Sequence, residues 1–406
     1  MDRRFWIAWE DEIKKGETTD IYFIRTVNIL KNDNLDRTKV SMEITTGELP
    51  YGFSWGVLSG VYEVIKLLEG IDLDLYILDE GTLFKPYTDN GLRTPIGFIV
   101  GEYGKFAIYE TPLLGLLCQS SGVSTYAAHL RYNAWDKILL AFGARRMHPA
   151  VTPLTDYASY IGGFDGVSAI LSANLMGLKP MGTMPHALII IYGDQVKAWR
   201  AFDKYVEKDV PRIALIDTFY DEKVEAVKAA EALKDRLYGV RLDTPGSRRG
   251  DIKKIIDEVR WELDIRGYKD VKIFLSGGVD LDLIKTLADS PVDGFGVGSS
   301  VSNARIIDFA LDIVEKEGTP IAKRGKFSGT KLLFRCPKCY RYIAVRWRVG
   351  SEEPKPRCPR CNIYMENLMV KAIEGGEVKI EFKKPQEIRR YVVGQLEKIR
   401  ELGWGD

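Results

Sequence analysis

The stretch YGVRLDTPGSRRGDIKKIIDEVRWELDIRG, residues 238–267, holds a complete structural unit. Tyr238 to Asp243 is an apolar run of strand length, a polar turn with proline and glycine follows, and the remainder has separate polar and apolar faces at helical spacing. The same alternation recurs nearby. Apolar runs at His186–Tyr192, Arg212–Thr218, Val271–Leu275 and Val292–Val297 are separated by helical stretches such as DEKVEAVKAAEALKD. Repeated βα units 20 to 33 residues long predict a parallel sheet covered by helices. Closure into a (β/α) barrel is the favoured arrangement, with an open doubly wound sheet as the runner-up.

Outside this region the pattern changes. Upstream, SWGVLSGVYEVIKLLEG reads as a helix starting at an Ser54 N-cap and stopping near Gly70, followed by an alternating strand in IDLDLYILDEG. Downstream of about residue 325 the chain becomes basic and cysteine-bearing and ends in a helical tail, QEIRRYVVGQLEKIRELG. Three domains are expected: residues 1–117 as an N-terminal α/β domain, 118–325 as the barrel, and 326–406 as a cysteine-bearing domain with a helical tail.

Composition narrows the function classes. Of 406 residues, 58 are basic and 57 acidic, a balance that gives no global attraction to nucleic acid or anionic membranes. No apolar run approaches the roughly 18 residues needed to span a bilayer. The opening MDRRFWIAWEDEIKKG lacks an apolar signal core, so a cytoplasmic location is expected.

In a βα barrel, ligand groups gather where strands run into the following loops. Those positions hold Asp217 and Thr218, then Arg241, Asp243 and Thr244, then Ser276, Gly277 and Gly278, then Gly296, Gly298 and Ser299. Arg241 and Asp243 are two apart and face the same side of their strand. An arginine fork suits an anion, and a carboxylate accepts from sugar hydroxyls. The glycine turns SGGVD and GVGSS let the backbone approach a phosphate closely. GVGSS lacks the third glycine of a dinucleotide fingerprint. The plain alternatives are tight turns and a structural ion pair. Upstream, Phe142, Arg145, Arg146 and His148 in AFGARRMHPA offer an aromatic face beside guanidinium groups, a combination that suits a flat aromatic carboxylate.

FGARR, GGFDGVS, GTMPHA, RLDTPGSRRG, SGG and GVGSS, in this order, resemble the nicotinate phosphoribosyltransferases, most closely the archaeal form. The resemblance implies an incomplete (β/α) barrel beside an N-terminal α/β domain. It also implies transfer of phosphoribose from 5-phosphoribosyl-1-pyrophosphate to nicotinate, with Mg²⁺ on the polyphosphate and ATP as co-substrate. Tyr22 would reach a partner subunit's site and stack on the pyridine ring, which implies a homodimer or an assembly of dimers. Phe142 would cover the other face of the ring, with Arg145 and Arg241 nearby. Asp243 would hold the ribose, and the glycine turns with Ser299 would hold the 5′-phosphate. His186 would become phosphorylated during ATP coupling. Asp165 and Ser168 fall where relatives select their base. Gly277 replaces an acidic residue of the nicotinamide enzymes, so contacts that depend on that acid do not transfer.

Cys336-x2-Cys339 and Cys358-x2-Cys361 lie 18 residues apart, the spacing of a structural four-thiolate zinc ribbon or knuckle. Residues 331–360 carry nine basic and two acidic side chains with Tyr340, Tyr342 and Trp347 interleaved, which raises a nucleic-acid-binding zinc ribbon as the alternative function. Another barrel enzyme acting on a phosphorylated sugar is the remaining option.

Overall fold

The computed structural model describes residues 3–404, which divide into two compact units. One is continuous, Tyr126–Ala304; the other combines Met1–Thr125 with Arg305–Asp406. This grouping differs from the three consecutive segments expected, because the end of the chain returns to the beginning. Phe309–Lys316, expected in the barrel, pairs antiparallel with Lys39–Thr46, and Met369–Glu374 pairs with Leu73–Leu78.

The discontinuous unit is built on a seven-stranded sheet with Lys39–Thr46 and Pro95–Glu102 at its centre. Lys39–Thr46 alternates cleanly and both its faces are covered. Val40, Met42 and Ile44 are buried on one side, and Ser41, Glu43 and Thr45 on the other. Each polar residue has a partner from the segment after residue 325. Thr330 Oγ1 bonds Ser41 Oγ at 2.8 Å, Lys326 Nζ donates to Thr45 Oγ1 at 2.8 Å, and Lys331 Nζ donates to both Glu43 oxygens at 3.1 and 3.2 Å. A buried polar row of this kind is tolerated only when every member is paired.

The helix expected from Ser54 begins instead at Val61 and ends at Leu68. Ser54 is not its cap. The buried Glu80 carboxylate accepts from the backbone N–H groups of Gly60, Val61 and Tyr62 at 2.9, 2.7 and 3.2 Å, satisfying the free donors of the first turn from a distant part of the chain. Gly60 enters the helix at φ 87°, and a Cβ there would lie 2.4 Å from the Leu116 carbonyl oxygen. Only glycine fits that approach.

The continuous unit is a six-stranded, all-parallel sheet. Its spatial order is Gly166–Val167, Ile138–Ala141, Gly294–Val297, Lys272–Ser276, Gly239–Leu242, Ile213–Leu215. Helices Glu222–Leu233 and Ile252–Ile265 follow their strands as expected. The first and last strands of this order do not pair with each other among the described residues, so the barrel is incomplete.

His186–Tyr192, expected as a strand, is a helix. Pro185 precedes it, and Gly193 closes it at φ 65° by donating to the Ile189 and Ile190 carbonyls. Ile190 and Ile191 are exposed, so the apolar run reflects neither a buried strand nor a buried helix face. Punctuation by proline and glycine outweighs the β-branched composition.

Candidate active site

The carboxyl ends of the parallel strands open into a cavity of about 840 Å³. Its first wall follows Ile138–Ala141. Phe142 donates its N–H to the Val297 carbonyl at 2.7 Å and turns its ring against Gly296, where a Cβ would lie 2.4 Å from the ring. Glycine at 296 therefore makes room for the aromatic face. Arg145 and Ser168 line the cavity beside it.

The next wall comes from Gly239–Leu242. Asp243 receives the Ser276 hydroxyl at 2.7 Å, and its own N–H donates to Asp217 Oδ2 at 2.7 Å. Arg241 donates to the Thr183 hydroxyl and to the Met184 carbonyl at 3.3 Å, with its Nη2 3.7 Å from Asp243 Oδ2. Burial pulls the pKa of this guanidinium down while the neighbouring carboxylates of Asp243 and Asp217 oppose the change. Its Nε is buried without a partner. The fork is thus fixed on the GTMP turn with donor capacity left over.

The remaining wall is backbone. Gly277 and Gly278 have φ of 79° and 69°, so two successive residues adopt the left-handed conformation between Ser276 and Val279. Arg249 holds this turn by donating to the Gly277 carbonyl at 2.8 Å. Gly298 and Ser299 enter from the adjacent strand end, and Gly298 is the N-cap of a short helix, Ser299–Ser302. Backbone donors at such turns form an anion cradle.

His186 also faces the cavity, from the start of its helix and not from a strand end. Its Nδ1 is 3.1 Å from the Thr218 hydroxyl; its Nε2 is 3.6 Å from Asp217 Oδ1 and 3.8 Å from Asp243 Oδ2. Asp217 was legible in the sequence as a strand end but not singled out as a site residue. Its side chain is 2% exposed and Oδ1 has no hydrogen-bond partner. Burial pushes its pKa up, and the facing His186 opposes that rise. Thr183, which fixes Arg241, was likewise invisible because nothing in its local sequence marks a contact 58 residues away.

Several sequence candidates do not line the cavity, among them His148, whose Nδ1 accepts from the Ala150 N–H at 3.2 Å. Thr244 is buried behind it, with its hydroxyl 3.1 Å from Asp217 Oδ2 and bonded to Glu222. Asp165 pairs with Arg131 and accepts from the Leu139 N–H at 2.8 Å, at the opposite end of its strand. Tyr22 belongs to the other unit, on helix Ile21–Asn32, with more than half of its surface exposed.

The four cysteines of the ribbon come together, their sulfurs all within 4.8 Å of one another. The two halves match. Tyr340 donates to the Cys336 carbonyl at 2.9 Å and Asn362 to the Cys358 carbonyl at 2.8 Å, and both residues are left-handed, at φ 54° and 52°. Two like turns aiming four thiols at one point can hold a metal ion such as zinc. The interleaved aromatics do not form a nucleic-acid face. Tyr340, Tyr342 and Trp347 are buried, as are Lys331 and Arg335.

The chain matches the family described as quinolinate phosphoribosyl transferase, with the C-terminal domain over residues 123–312 and the N-terminal domain over residues 20–121. It is 54% identical to a nicotinate-nucleotide pyrophosphorylase from Pyrococcus furiosus whose crystal structure superposes with a TM-score of 0.93, covering 100% of both chains. Human nicotinic acid phosphoribosyltransferase shares the fold at 19% identity, with a TM-score of 0.71 over 94% of each chain. A nicotinate phosphoribosyltransferase of Mycobacterium tuberculosis is 25% identical over 341 residues, 77% of this chain and 75% of that one.

Proposed function

The chain belongs to the quinolinate phosphoribosyl transferase family, type II phosphoribosyltransferases of NAD biosynthesis, and from that membership we propose that its own pyridine substrate is nicotinate. The reaction is displacement of pyrophosphate from 5-phosphoribosyl-1-pyrophosphate by the nicotinate nitrogen. The carrying observation is one cavity in which the Phe142 ring, the Arg241 fork, the Asp243 carboxylate and two glycine turns converge. The relatives' name as nicotinate enzymes supports the same reading.

Each residue has a physical task. Phe142 covers one face of the pyridine ring, and Tyr22 of a second copy covers the other, which makes the working unit a homodimer. Arg145 and Arg241 meet the carboxylate. Asp243, held by Ser276, orients the ribose hydroxyls as the anomeric carbon gains positive charge. The Gly277–Gly278 and Gly298–Ser299 turns hold the 5′-phosphate. Asp243 and Asp280, both lining the mouth, would be the carboxylates available to a hard cation such as Mg²⁺, which would supply charge neutralisation for the departing pyrophosphate. A zinc ion held by Cys336, Cys339, Cys358 and Cys361 would be structural, because four thiolates leave no open position.

ATP coupling rests on His186. With Nδ1 donating its hydrogen to the Thr218 hydroxyl, Nε2 keeps its lone pair, attacks the terminal phosphate of ATP and displaces ADP. The proton stays on Nδ1, and the Asp217 and Asp243 carboxylates that face the ring stabilise the positive charge it gains.

The test is product formation from labelled nicotinate, nicotinamide and quinolinate, each with and without ATP. Nicotinate mononucleotide from nicotinate, stimulated by ATP, is expected. Quinolinate turnover would release its second carboxyl as carbon dioxide, and carbon dioxide release without nicotinate turnover would overturn the substrate assignment. Equal stimulation by ATP in wild type and His186→Ala would remove the phosphohistidine role alone.

A further inference from the structure

At the opposite end of the parallel sheet from the cavity, a second concavity of about 950 Å³ lies beside the amino end of strand Ile213–Leu215. It takes no part in the chemistry above. Arg212 builds its wall. This buried guanidinium donates to Asp203 Oδ1 at 3.2 Å and to the backbone carbonyls of Asp203, Val206 and Glu207 at 3.0, 2.9 and 2.6 Å, so the loop after helix Gln195–Tyr205 is wrapped around one cation. Asp203 is further neutralised by Arg236, and Asp209 by Lys179. Both acids that line the groove are thereby consumed.

The cations are not. Arg200 and Lys204 stand one turn apart on the same face of the helix and Lys208 follows on the wrapped loop; none has a carboxylate partner among the described residues. Like charges at this spacing repel on a helix surface, a penalty that a bound anion would reverse. Opposite them the groove offers an apolar surface from Val210, Pro211 and Ala232 and the half-exposed ring of Tyr238. The volume falls in the roughly 300–1,000 Å³ range of small-molecule sites.

We propose that this groove is a second ligand site, for a nucleoside polyphosphate, with Arg200, Lys204 and Lys208 on the phosphates and the Tyr238 wall against the base. Three cations in a row suit a chain of phosphates better than a single anion, and the apolar wall suits the ring that a bare polyphosphate lacks.

Equilibrium dialysis with labelled ADP tests this on the full chain. The variant Arg200→Ala/Lys204→Ala/Lys208→Ala alters only exposed side chains; an unchanged melting temperature verifies its fold. The wild type is expected to bind one more equivalent of ADP per chain than this variant, or to bind that equivalent at least tenfold more tightly. Lys204→Arg is expected to retain it. The comparison stands whether or not the catalytic mouth itself binds nucleotide, because wild type and triple variant share the same mouth residues. Indistinguishable ADP binding by wild type and triple variant would overturn the proposal. So would a variant that changes the oligomeric state while leaving ADP binding intact, which would make the groove a protein contact. Tripolyphosphate binding as tightly as ADP would overturn the role of the Tyr238 wall.

Discussion

The two units of this chain bury polar groups for different ends. In the parallel sheet every strand points its carboxyl end to the same rim, so side chains far apart in sequence converge there. Asp217, Arg241 and Asp243 meet in this way and His186 joins them from the start of its helix, with capacity left unspent: Asp217 Oδ1 and Arg241 Nε have no hydrogen-bond partner. In the antiparallel sheet neighbouring strands point in opposite directions and no rim collects their ends. Its two most buried carboxylates are paired within the fold, Glu43 with Lys331 and Glu80 with three backbone donors, while isolated atoms such as Thr94 Oγ1 and Arg335 Nε are left without partners. The lesson is that incomplete bonding of a buried polar group points to chemistry where several such groups converge on one cavity, as Asp217 and Arg241 do, and not where one stands alone.

Substitutions can break this contrast. The largest effect is expected at Asp243. Asp243→Ala should lower turnover at saturation on the order of 100-fold while nicotinate binding changes little, because the carboxylate acts on a ribose that changes charge at the transition state. A loss confined to the Michaelis constant would assign it a ground-state role. Pairing the two units across chains is the next test. Mixtures of Tyr22→Ala and Asp243→Ala should regain up to roughly a quarter of wild-type activity if hybrid dimers carry one intact site. Failure with verified subunit exchange would place the site within one chain.

Gly296→Ala probes the rim from the backbone side. Its Cβ would press into the Phe142 ring, and overpacking of this kind costs about 1–3 kcal/mol. About a tenfold weakening of base binding is expected, measurable by titration with nicotinate. Gly394, on helix Pro385–Glu401 with nothing within 4 Å of an added Cβ, is the control position in the other unit. Metal removal tests the architectural half. About one zinc per chain is expected by elemental analysis. Cys358→Ser should release it and lower the melting temperature by several degrees, with turnover below the transition kept within about twofold. A tenfold fall in turnover would give the ribbon a role in chemistry.

The smallest effect concerns pH. Burial pushes Glu80 up from 4.5 to about 7, against the pull of its three backbone donors. A carboxyl raised in the folded state binds its proton more tightly there than when unfolded. Stability from this group is therefore greatest below pH 4.5 and declines as pH rises toward 7. Glu80→Gln should flatten that decline in denaturant titrations across the same window; an unchanged slope would move its origin to Glu43 and Glu110, which burial also raises to about 7.

Much of the rim was legible because strand ends announce themselves. Gly277, Gly278, Gly296 and Gly298 mark turns, and Arg241 and Asp243 share a face by simple parity. The four cysteines were legible from spacing alone. What escaped was fixed by distant partners. Helix Val61–Leu68 takes its cap from Glu80, so local inspection placed its start at Ser54. His186–Tyr192 has strand composition but lies between Pro185 and a left-handed Gly193. Asp165 shares a motif with Ser168, yet it sits at the other end of a two-residue strand, beside Arg131.

The return of Phe309–Lys316 to Lys39–Thr46 sets an order of assembly. During synthesis the whole of Tyr126–Ala304 emerges before the partner of Lys39–Thr46 exists. The parallel sheet can close as a unit while the amino-terminal strands wait with an open edge, the state most exposed to pairing with the wrong chain. Ser41, Glu43 and Thr45 then present a polar row on that waiting strand until residues 326–331 arrive to cover it. The same side chains that make the finished sheet expensive to bury make the unfinished one soluble. Chains truncated at residue 304 should consequently accumulate as a folded barrel carrying an unpaired sheet, which limited proteolysis would trim to a fragment close to 126–304.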